Sequence, residues 1–311
     1  MSSQVAVASL GGTITMTGSG AVSPTLGAKD LVQGLEVGEM ATLATIPGAS
    51  LTFATLLEAF DWADKQVSEG ATGVVIIQGT DTLEETAYFF DCLWPHEEPV
   101  VVTGAMRHPG LPGADGPANL AAAVAVAAAP NSCGRGALLV LNDEIHASRW
   151  VRKTHSSLMN AFESFPGPLG LVIEGAPQYF HPAHQLPALP RPLDAPAVPL
   201  IEATLDDDGS ILDWLNVKGV VVAATGVGHV SVGMAEAISR ARFPVVVATR
   251  TGAGTTFRNT YGFTGSESDL LKRGAVMAGW LCPRKARVLL RLAIGSLQPV
   301  GEVFAARGGI F

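Results

Sequence analysis

Short apolar runs alternate with longer amphipathic segments along the first half of the chain. Four runs are almost continuously hydrophobic and are bounded by glycine, proline or polar turns, at residues 5–8, 73–77, 99–103 and 137–141. Such runs are typical of strands buried on both faces of a parallel sheet. Segments long enough for helices lie between them, at residues 51–67, 84–92 and 116–129, the last preceded by the candidate cap Asp115. The alternation predicts a three-layer α/β domain on a parallel sheet.

The middle of the chain is rich in proline, and the α/β pattern then returns. Residues 175–199 contain seven prolines and little periodicity, which is typical of a connection between domains. Beyond it, strand patterns recur at residues 219–224 and 244–249, and helical patterns at residues 233–242, 266–272 and 283–294. We therefore predict a larger N-terminal α/β domain over residues 1–180, a proline-rich linker over 181–205 and a smaller flavodoxin-like α/β domain over 206–311.

Composition and charge argue against membrane and nucleic-acid partners. Mean hydropathy is +0.32, yet the longest apolar run, residues 120–129, is too short to span a bilayer. The formal net charge is −8, and no basic cluster is longer than residues 284–287. The N-terminus enters a strand pattern without the charged and apolar regions of a signal peptide, so we expect a cytoplasmic protein.

Neither a metal nor an organic cofactor is expected. The three cysteines are far apart and match neither a disulfide framework nor a zinc-binding spacing. The acidic run at residues 206–209 lacks the closing glutamate of a calcium loop, which favours a solvated turn. His181 and His184 flank Pro182 and are poorly placed to form a metal pair on one helix.

Candidate chemistry lies where the predicted strands end. Thr13 follows Gly11 and Gly12, Thr80 follows Gly79, and the run ending at Thr103 continues into another glycine. Open α/β sheets bind ligands beyond the carboxyl ends of their strands. Each glycine–threonine pair alone also fits a simple turn with a helix cap, and the first lacks the spacing of a nucleotide-binding loop.

A fourth segment, residues 142–154, adds a lysine to these threonines. Lys153 is the only lysine in the four segments. A threonine hydroxyl is too weak an acid to attack an amide unaided, and a nearby desolvated lysine can act as its base. The four segments together therefore indicate a threonine nucleophile.

Over nearly its whole length the sequence resembles the bacterial-type L-asparaginase and glutaminase family. The family's Thr-Gly-Gly-Thr-Ile motif is similar to residues 10–14, and its His-Gly-Thr-Asp-Thr signature is similar to Gln78-Gly79-Thr80-Asp81-Thr82. Further blocks match in the same order, at residues 104–107, 114–117, 141–143 and 153–154.

This resemblance implies roles for five residues. Thr13 is the nucleophile that forms an acyl-enzyme, and Thr80 positions water and donates to the oxyanion. Lys153 tunes proton transfer, Asp81 binds the substrate α-ammonium group, and the Ala105 carbonyl orients the carboxamide. The resemblance also implies a homotetramer, a dimer of intimate dimers, in which a neighbour's smaller domain completes each site.

The chain departs from the family pattern in the lid that follows the first motif. The family's lid usually carries a catalytic tyrosine, whereas residues 16–26 contain none. The lid is expected either to use the hydroxyl group of Thr17, Ser19 or Thr25 or to rely on another group.

Two further departures concern substrate contacts. The family's carboxylate-binding serine should fall in residues 47–50, where Gly48 or Ala49 aligns best and Ser50 is adjacent. The segment expected to reach a neighbouring subunit has His229 and Ser231 where the family often has asparagines.

Three functions remain open at this point. The first is hydrolysis of L-asparagine to L-aspartate and ammonia, with weak glutaminase activity. The second is an ammonia-releasing amidotransferase subunit, although such subunits usually carry an extra N-terminal domain. The third is a non-catalytic amino-acid-binding or regulatory protein, for which the missing lid tyrosine argues. The intact threonine, aspartate and lysine set favours the enzyme, because a binding protein does not need it.

Overall fold

The computed structural model describes residues 4–18 and 21–309, which divide into two compact units after Ala188. This division falls inside the predicted linker at 181–205. Residues 200–202, also in that predicted linker, form a strand of the second unit.

The first unit contains twelve strands and four helices in the described residues. The strands are β1 (Val5–Gly11), β2 (Met16–Thr17), β3 (Ser23–Pro24), β4 (Met40–Ile46), β5 (Gly73–Ile77), β6 (Val100–Thr103), β7 (Ala137–Leu141), β8 (Glu144–Ala147), β9 (Val151–Lys153), β10 (Phe162–Ser164), β11 (Gly170–Ile173) and β12 (Ala176–Tyr179). The helices are α1 (Ala28–Leu31), α2 (Phe53–Ser68), α3 (Leu83–Leu93) and α4 (Gly116–Ala128). The predicted strands and helices of this half are confirmed, with ends that differ by at most three residues, the largest difference being the end of β1 at Gly11.

A large mixed sheet forms the centre of this unit, in the order β12-β11-β8-β7-β6-β5-β1-β4. The strands from β7 to β4 pair in parallel, as predicted, whereas β7, β8, β11 and β12 pair antiparallel. Ser9 pairs with Ile77, and Ile77 with Thr103. The carboxyl ends of β1, β5 and β6 therefore meet at one edge of the sheet.

Both faces of the parallel strands are covered, which confirms the predicted three layers. Val75 and Ile77 of β5 belong to a core that includes Leu120 and Ala123 of α4. The alternate residues of β5 are also fully buried and point to the opposite face, because side chains alternate along a strand. On that face α2 and α3 meet through an edge-to-face pair of Phe53 and Phe89, with ring centroids 5.4 Å apart.

The second unit is a smaller parallel α/β domain. Its strands are β13 (Leu200–Glu202), β14 (Val220–Ala224), β15 (Val245–Thr249) and β16 (Val276–Met277), and its helices are α5 (Val232–Arg240), α6 (Glu267–Lys272), α7 (Pro283–Gly295) and α8 (Val300–Arg307). All described pairings in this sheet are parallel. The strands follow each other in chain order, so the sheet lacks the reversal of strand order that defines a flavodoxin-like sheet.

The acidic run at residues 206–209 forms a turn. The Asp207 carboxylate accepts a hydrogen bond from the Gly209 amide at 2.9 Å, and Asp208 accepts one from the Ser210 amide at 2.9 Å. Gly209 has a φ of 73°, in the left-handed region that favours glycine. Among the described residues, no helix is both long and apolar enough to cross a membrane.

The loops after β1 and β5 touch through backbone at two glycines. Gly12 has a φ of 88°, and a Cβ added to it would overlap the Gly79 backbone nitrogen. Gly11 has a φ of 103°, and an added Cβ would lie 2.5 Å from the Ile46 nitrogen on β4. A side chain at position 12 would force the loops after β1 and β5 apart, and a side chain at position 11 would force β1 away from β4.

We predict that Gly12→Ala destabilises the protein more than Gly34→Ala does. Gly34 has nearly the same φ, 85°, but nothing lies within 4 Å of an added Cβ. Gly34→Ala should therefore cost only the left-handed strain, about 1–2 kcal/mol, whereas Gly12→Ala adds the overlap and should cost about 2–5 kcal/mol. Urea unfolding measures both, and equal losses would contradict the close approach.

Candidate active site

Thr13 begins a single helical turn, Thr13–Thr15, directly after the two glycines. The Thr15 hydroxyl donates to the Gly12 carbonyl at 2.7 Å and fixes this turn. Thr13 is partly exposed, and its own hydroxyl makes no hydrogen bond to another residue of 4–18 or 21–309. The Thr13 hydroxyl is therefore available to a ligand.

Thr80, Asp81 and Lys153 form a polar cluster, as predicted. The Lys153 Nζ donates to the Thr80 Oγ1 at 2.8 Å and lies 3.5 Å from the Asp81 Oδ1. Thr80 is 5% exposed, whereas the Asp81 side chain is 61% exposed. Because Thr80 accepts from the lysine, its own O–H remains able to donate to a ligand. Asp81 is the member of the cluster that solvent reaches most easily.

Glu84 supports this cluster through a hydrogen bond to the Lys153 backbone. The sequence pattern gave Glu84 no role. It lies in the first turn of α3 and is 2% exposed. Its Oε2 accepts a short hydrogen bond from the Lys153 backbone amide. This bond joins β9 to α3, the helix that follows Thr80 and Asp81. It therefore fixes the position of the Lys153 backbone from which the lysine side chain extends.

Asp115 and Asn119, one turn apart on α4, shape the loop that contains Ala105. The Asp115 carboxylate accepts from the amides of Met106 and Arg107, each at 2.8 Å, and makes no capping bond to its own helix. The Asn119 side chain donates to the Gly104 carbonyl at 3.0 Å and to Asp115 at 2.9 Å. Asp115 thus occupies the predicted cap position, but its carboxylate binds the neighbouring loop.

The segment predicted to bind the substrate carboxylate is packed against the Thr80 loop. Gly48 is buried, and a Cβ added to it would lie 2.9 Å from the Gly79 carbonyl oxygen. The Thr82 hydroxyl donates to the Gly48 carbonyl at 2.9 Å. Ala49 and Ser50 are exposed. A serine at position 48 would therefore require a backbone shift, and Ser50 presents the hydroxyl of this segment.

The described lid residues pair with each other. Thr17 and Thr25 lie on or beside the short strands β2 and β3, and their hydroxyl oxygens are 2.7 Å apart. Both are exposed. The third candidate, Ser19, lies outside the described residues. The structure brings Thr17 and Thr25 together near the turn of Thr13, and their role in catalysis stays a prediction.

In the second unit, His229 forms a pair with a carboxylate that the sequence pattern did not single out. Its Nε2 lies 3.1 Å from the Oε2 of Glu267, which is fully buried. The rings of Tyr261 and Phe263 stand edge-on to the imidazole, with centroids at 4.9 and 5.0 Å. Ser231 caps α5, since its Oγ accepts from the Met234 amide at 3.0 Å. His229 thus faces a polar partner, whereas the Ser231 Oγ caps its own helix and donates to the Asp207 carbonyl.

Amide donors stabilise the buried Glu267 carboxylate. Burial opposes ionisation, but the amides of Tyr261 and Thr260, at 2.6 and 2.7 Å, together with His229, hold the Glu267 pKa below its ordinary value. Hydrogen bonds to the ionised form outweigh the loss of solvation here.

Comparison with known proteins identifies the architecture. The family model described as "Asparaginase, N-terminal" matches residues 4–185, and the one described as "Glutaminase/Asparaginase C-terminal domain" matches residues 197–303. The chain belongs to the L-asparaginase family. The two matched regions leave residues 186–196 between them, inside the proline-rich segment.

Several asparaginases are similar to this chain over most of its length. An L-asparaginase of Bacillus licheniformis is 33% identical over 96% of this chain and 97% of its own length. A protein of Haemophilus influenzae described as a probable periplasmic L-asparaginase is 34% identical over 93% of this chain and 88% of its own length. The crystal structure of a probable cytoplasmic L-asparaginase from Campylobacter jejuni superposes with a TM-score of 0.88 at 30% identity, over 98% of this chain and 99% of that one. The predicted family and two-domain fold are confirmed.

We predict that this asparaginase-family protein loses stability in acid through Glu267. The carboxylate's contribution is complete above the unfolded-state pKa, about 4.3, and is lost as the pH falls through the lower folded-state pKa. Glu267→Gln should cost about 1–3 kcal/mol at pH 7 and progressively less as the pH falls below about 4. Urea unfolding at several pH values measures this.

The exposed Glu236 on α5 provides the control. Glu236→Gln should leave the stability and its pH dependence nearly unchanged. A cost for Glu267→Gln that stays constant between pH 7 and pH 3 would contradict the assignment.

Proposed function

We propose that this chain hydrolyses the side-chain amide of L-asparagine to L-aspartate and ammonia, through an acyl-enzyme on Thr13. The observation that carries the proposal is the Thr80–Lys153–Asp81 cluster at the sheet edge where the Thr13 hydroxyl has no partner among the described residues. The chain's membership of the asparaginase family and its relatives described as L-asparaginases support the same reaction. No cofactor is part of the proposal.

The first half of the reaction forms an ester. The Thr13 oxygen attacks the amide carbon, its proton passes to the departing nitrogen, and the carbon–nitrogen bond breaks to release ammonia. Donation from the Thr80 hydroxyl stabilises the negative charge that develops on the amide oxygen. Water then attacks the ester, releases L-aspartate and returns a proton to Thr13.

Substrate binding and proton transfer are coupled through Asp81. Its carboxylate is largely exposed and is the counter-ion for the substrate α-ammonium group. The Lys153 Nζ lies 3.5 Å from the same Asp81 carboxylate, so the bound α-ammonium group stands beside it. Because Lys153 also donates to the Thr80 hydroxyl, it connects the carboxylate that binds the substrate with the groups that transfer protons.

The site differs from the family pattern where the substrate α-carboxylate binds. Gly48 offers no hydroxyl, so we assign the contact to Ser50, beside Ala49 on the exposed side of the segment. The Ala105 carbonyl would hold the carboxamide, supported by the bonds of Asp115 and Asn119 to its loop. Discrimination between asparagine and glutamine then depends on one methylene, worth about 1–3 kcal/mol.

Assembly and location are part of the same proposal. We infer a homotetramer in which a neighbour's smaller domain contributes His229 to each site. The Ser231 hydroxyl instead caps α5 and donates to the Asp207 carbonyl. The similar Campylobacter protein is described as cytoplasmic and the Haemophilus one as periplasmic. We propose the cytoplasm for this chain, as described for the Campylobacter protein. Light scattering that found a fully active monomer would exclude the shared site.

We predict that Thr13→Ala reduces ammonia release from L-asparagine by about 10³-fold or more, because the nucleophile is lost. Thr13→Ser retains a hydroxyl and should keep measurable activity. Ammonia release from L-asparagine, L-glutamine and D-asparagine is measured for each protein, together with its melting temperature. A folded Thr13→Ala protein with most of its activity would remove Thr13 from the mechanism. No release by the wild type would favour the binding-protein alternative.

We predict that Lys153→Met lowers kcat about 10²- to 10⁴-fold, as expected for loss of a positioned base. Lys65 on α2 has a 66% exposed side chain, and Glu69 is its one ion-pair partner within residues 4–18 and 21–309. Lys65→Met is therefore the control and should behave as the wild type. The pH profile of kcat/KM is recorded for all three proteins. An unchanged profile in Lys153→Met would refute the proton-transfer role.

A further inference from the structure

A cavity of about 190 Å³ lies in the first unit, beside the turn of Thr13 but outside the catalytic cluster. Its apolar lining comes from Ile14, Leu26, Leu31, Pro109, Pro117 and Leu120. Thr13, Thr80, Asp81 and Lys153 do not line it. Its volume is about that of six water molecules in the liquid and is below the roughly 300–1,000 Å³ of sites for drug-sized ligands. It fits a small molecule.

Two opposite charges, Arg107 and Asp30, also line this cavity. The Arg107 Nη1 donates to the carbonyls of Pro112 and Gly113 at 3.4 and 3.3 Å, and its Nε and Nη2 bind no other described residue. The Asp30 Oδ2 accepts from the Gly27 amide at 2.9 Å, and its Oδ1 has no partner within residues 4–18 and 21–309. Both residues are exposed.

Arg107 and Asp30 do not pair with each other. Across the described residues, neither forms an ion pair within 4.0 Å. A guanidinium with open donors matches a carboxylate, and a carboxylate with an open oxygen matches an ammonium group. Because both stand beside an apolar cavity of small volume, the complementary ligand carries both charges and a compact apolar group.

We propose that this cavity binds a free α-amino acid with an apolar side chain, at a site separate from the catalytic cluster. Arg107 binds the α-carboxylate, Asp30 binds the α-ammonium group, and the side chain fills the space between α1 and α4. Such a ligand packs against Ile14, the residue that follows Thr13, and against Leu26, whose amide donates to the Thr15 carbonyl at 3.0 Å. It therefore contacts both ends of the segment that carries the candidate nucleophile and the lid.

Calorimetric titration of the wild-type protein with L-leucine tests the proposal. L-Leucine has no side-chain amide to hydrolyse, so its binding is measured independently of turnover. Glycine lacks the side chain, 4-methylpentanoate lacks the ammonium group and 3-methylbutylamine lacks the carboxylate. We expect saturable binding of L-leucine and at least a ten-fold weaker Kd for each of the other three. Equal or stronger binding of any of these three would contradict the assigned contacts.

Variants locate the binding. Arg107→Gln and Asp30→Asn should each raise the Kd at least ten-fold, and Leu31→Phe should abolish binding by filling the cavity, with all three folded by melting temperature. Asp81→Asn should leave the Kd unchanged. No binding to the wild type would overturn the proposal. So would binding that persists in Leu31→Phe but disappears in Asp81→Asn, which would place leucine at the catalytic cluster.

Discussion

The close contact between the loops after β1 and β5 is the constraint on which the candidate site depends. Gly12 and Gly48 both pack against the backbone of Gly79, and a Cβ added to Gly79 would meet both of them. Gly104 approaches the Gln78 carbonyl from the loop after β6. Each contact requires the absence of a side chain. Since Thr13 and Thr80 directly follow two of these glycines, the glycine packing brings their hydroxyl groups to one edge of the sheet.

Buried polar side chains then hold this arrangement in register. Glu84 joins β9 to α3 through the Lys153 amide, and Thr82 joins the Thr80 loop to Gly48. Asp115 and Asn119 fix the loop of Ala105, and the Asn119 side-chain Oδ1 also accepts from the Asn142 amide after β7. These bonds use buried acceptors that would be costly to leave unpaired. The site is therefore supported by several hydrogen bonds around it and not by the reacting groups alone.

The sequence predicted those parts of the fold whose signal is local. The fully buried strands, such as β5 and β7, read as continuous apolar runs because helices cover both of their faces. The half-buried strand β4 gave no such run, since exposed positions interrupt it. The β7–β8 hairpin was not predicted. It depends on Asn142 and Asp143 at positive φ, and this pair is itself a local turn signal. The supporting role of Glu84 could not be predicted, because its partner lies 69 residues away.

The central claim is that Thr13 carries the acyl group, and trapping that ester tests it most directly. The wild-type protein is mixed with a saturating concentration of L-asparagine, quenched in acid during turnover and digested, and the peptides that contain Thr13 and Thr80 are analysed by mass spectrometry. The account predicts an aspartyl ester on the Thr13 peptide that is absent from Thr13→Ala. An ester on the Thr80 peptide alone would contradict it.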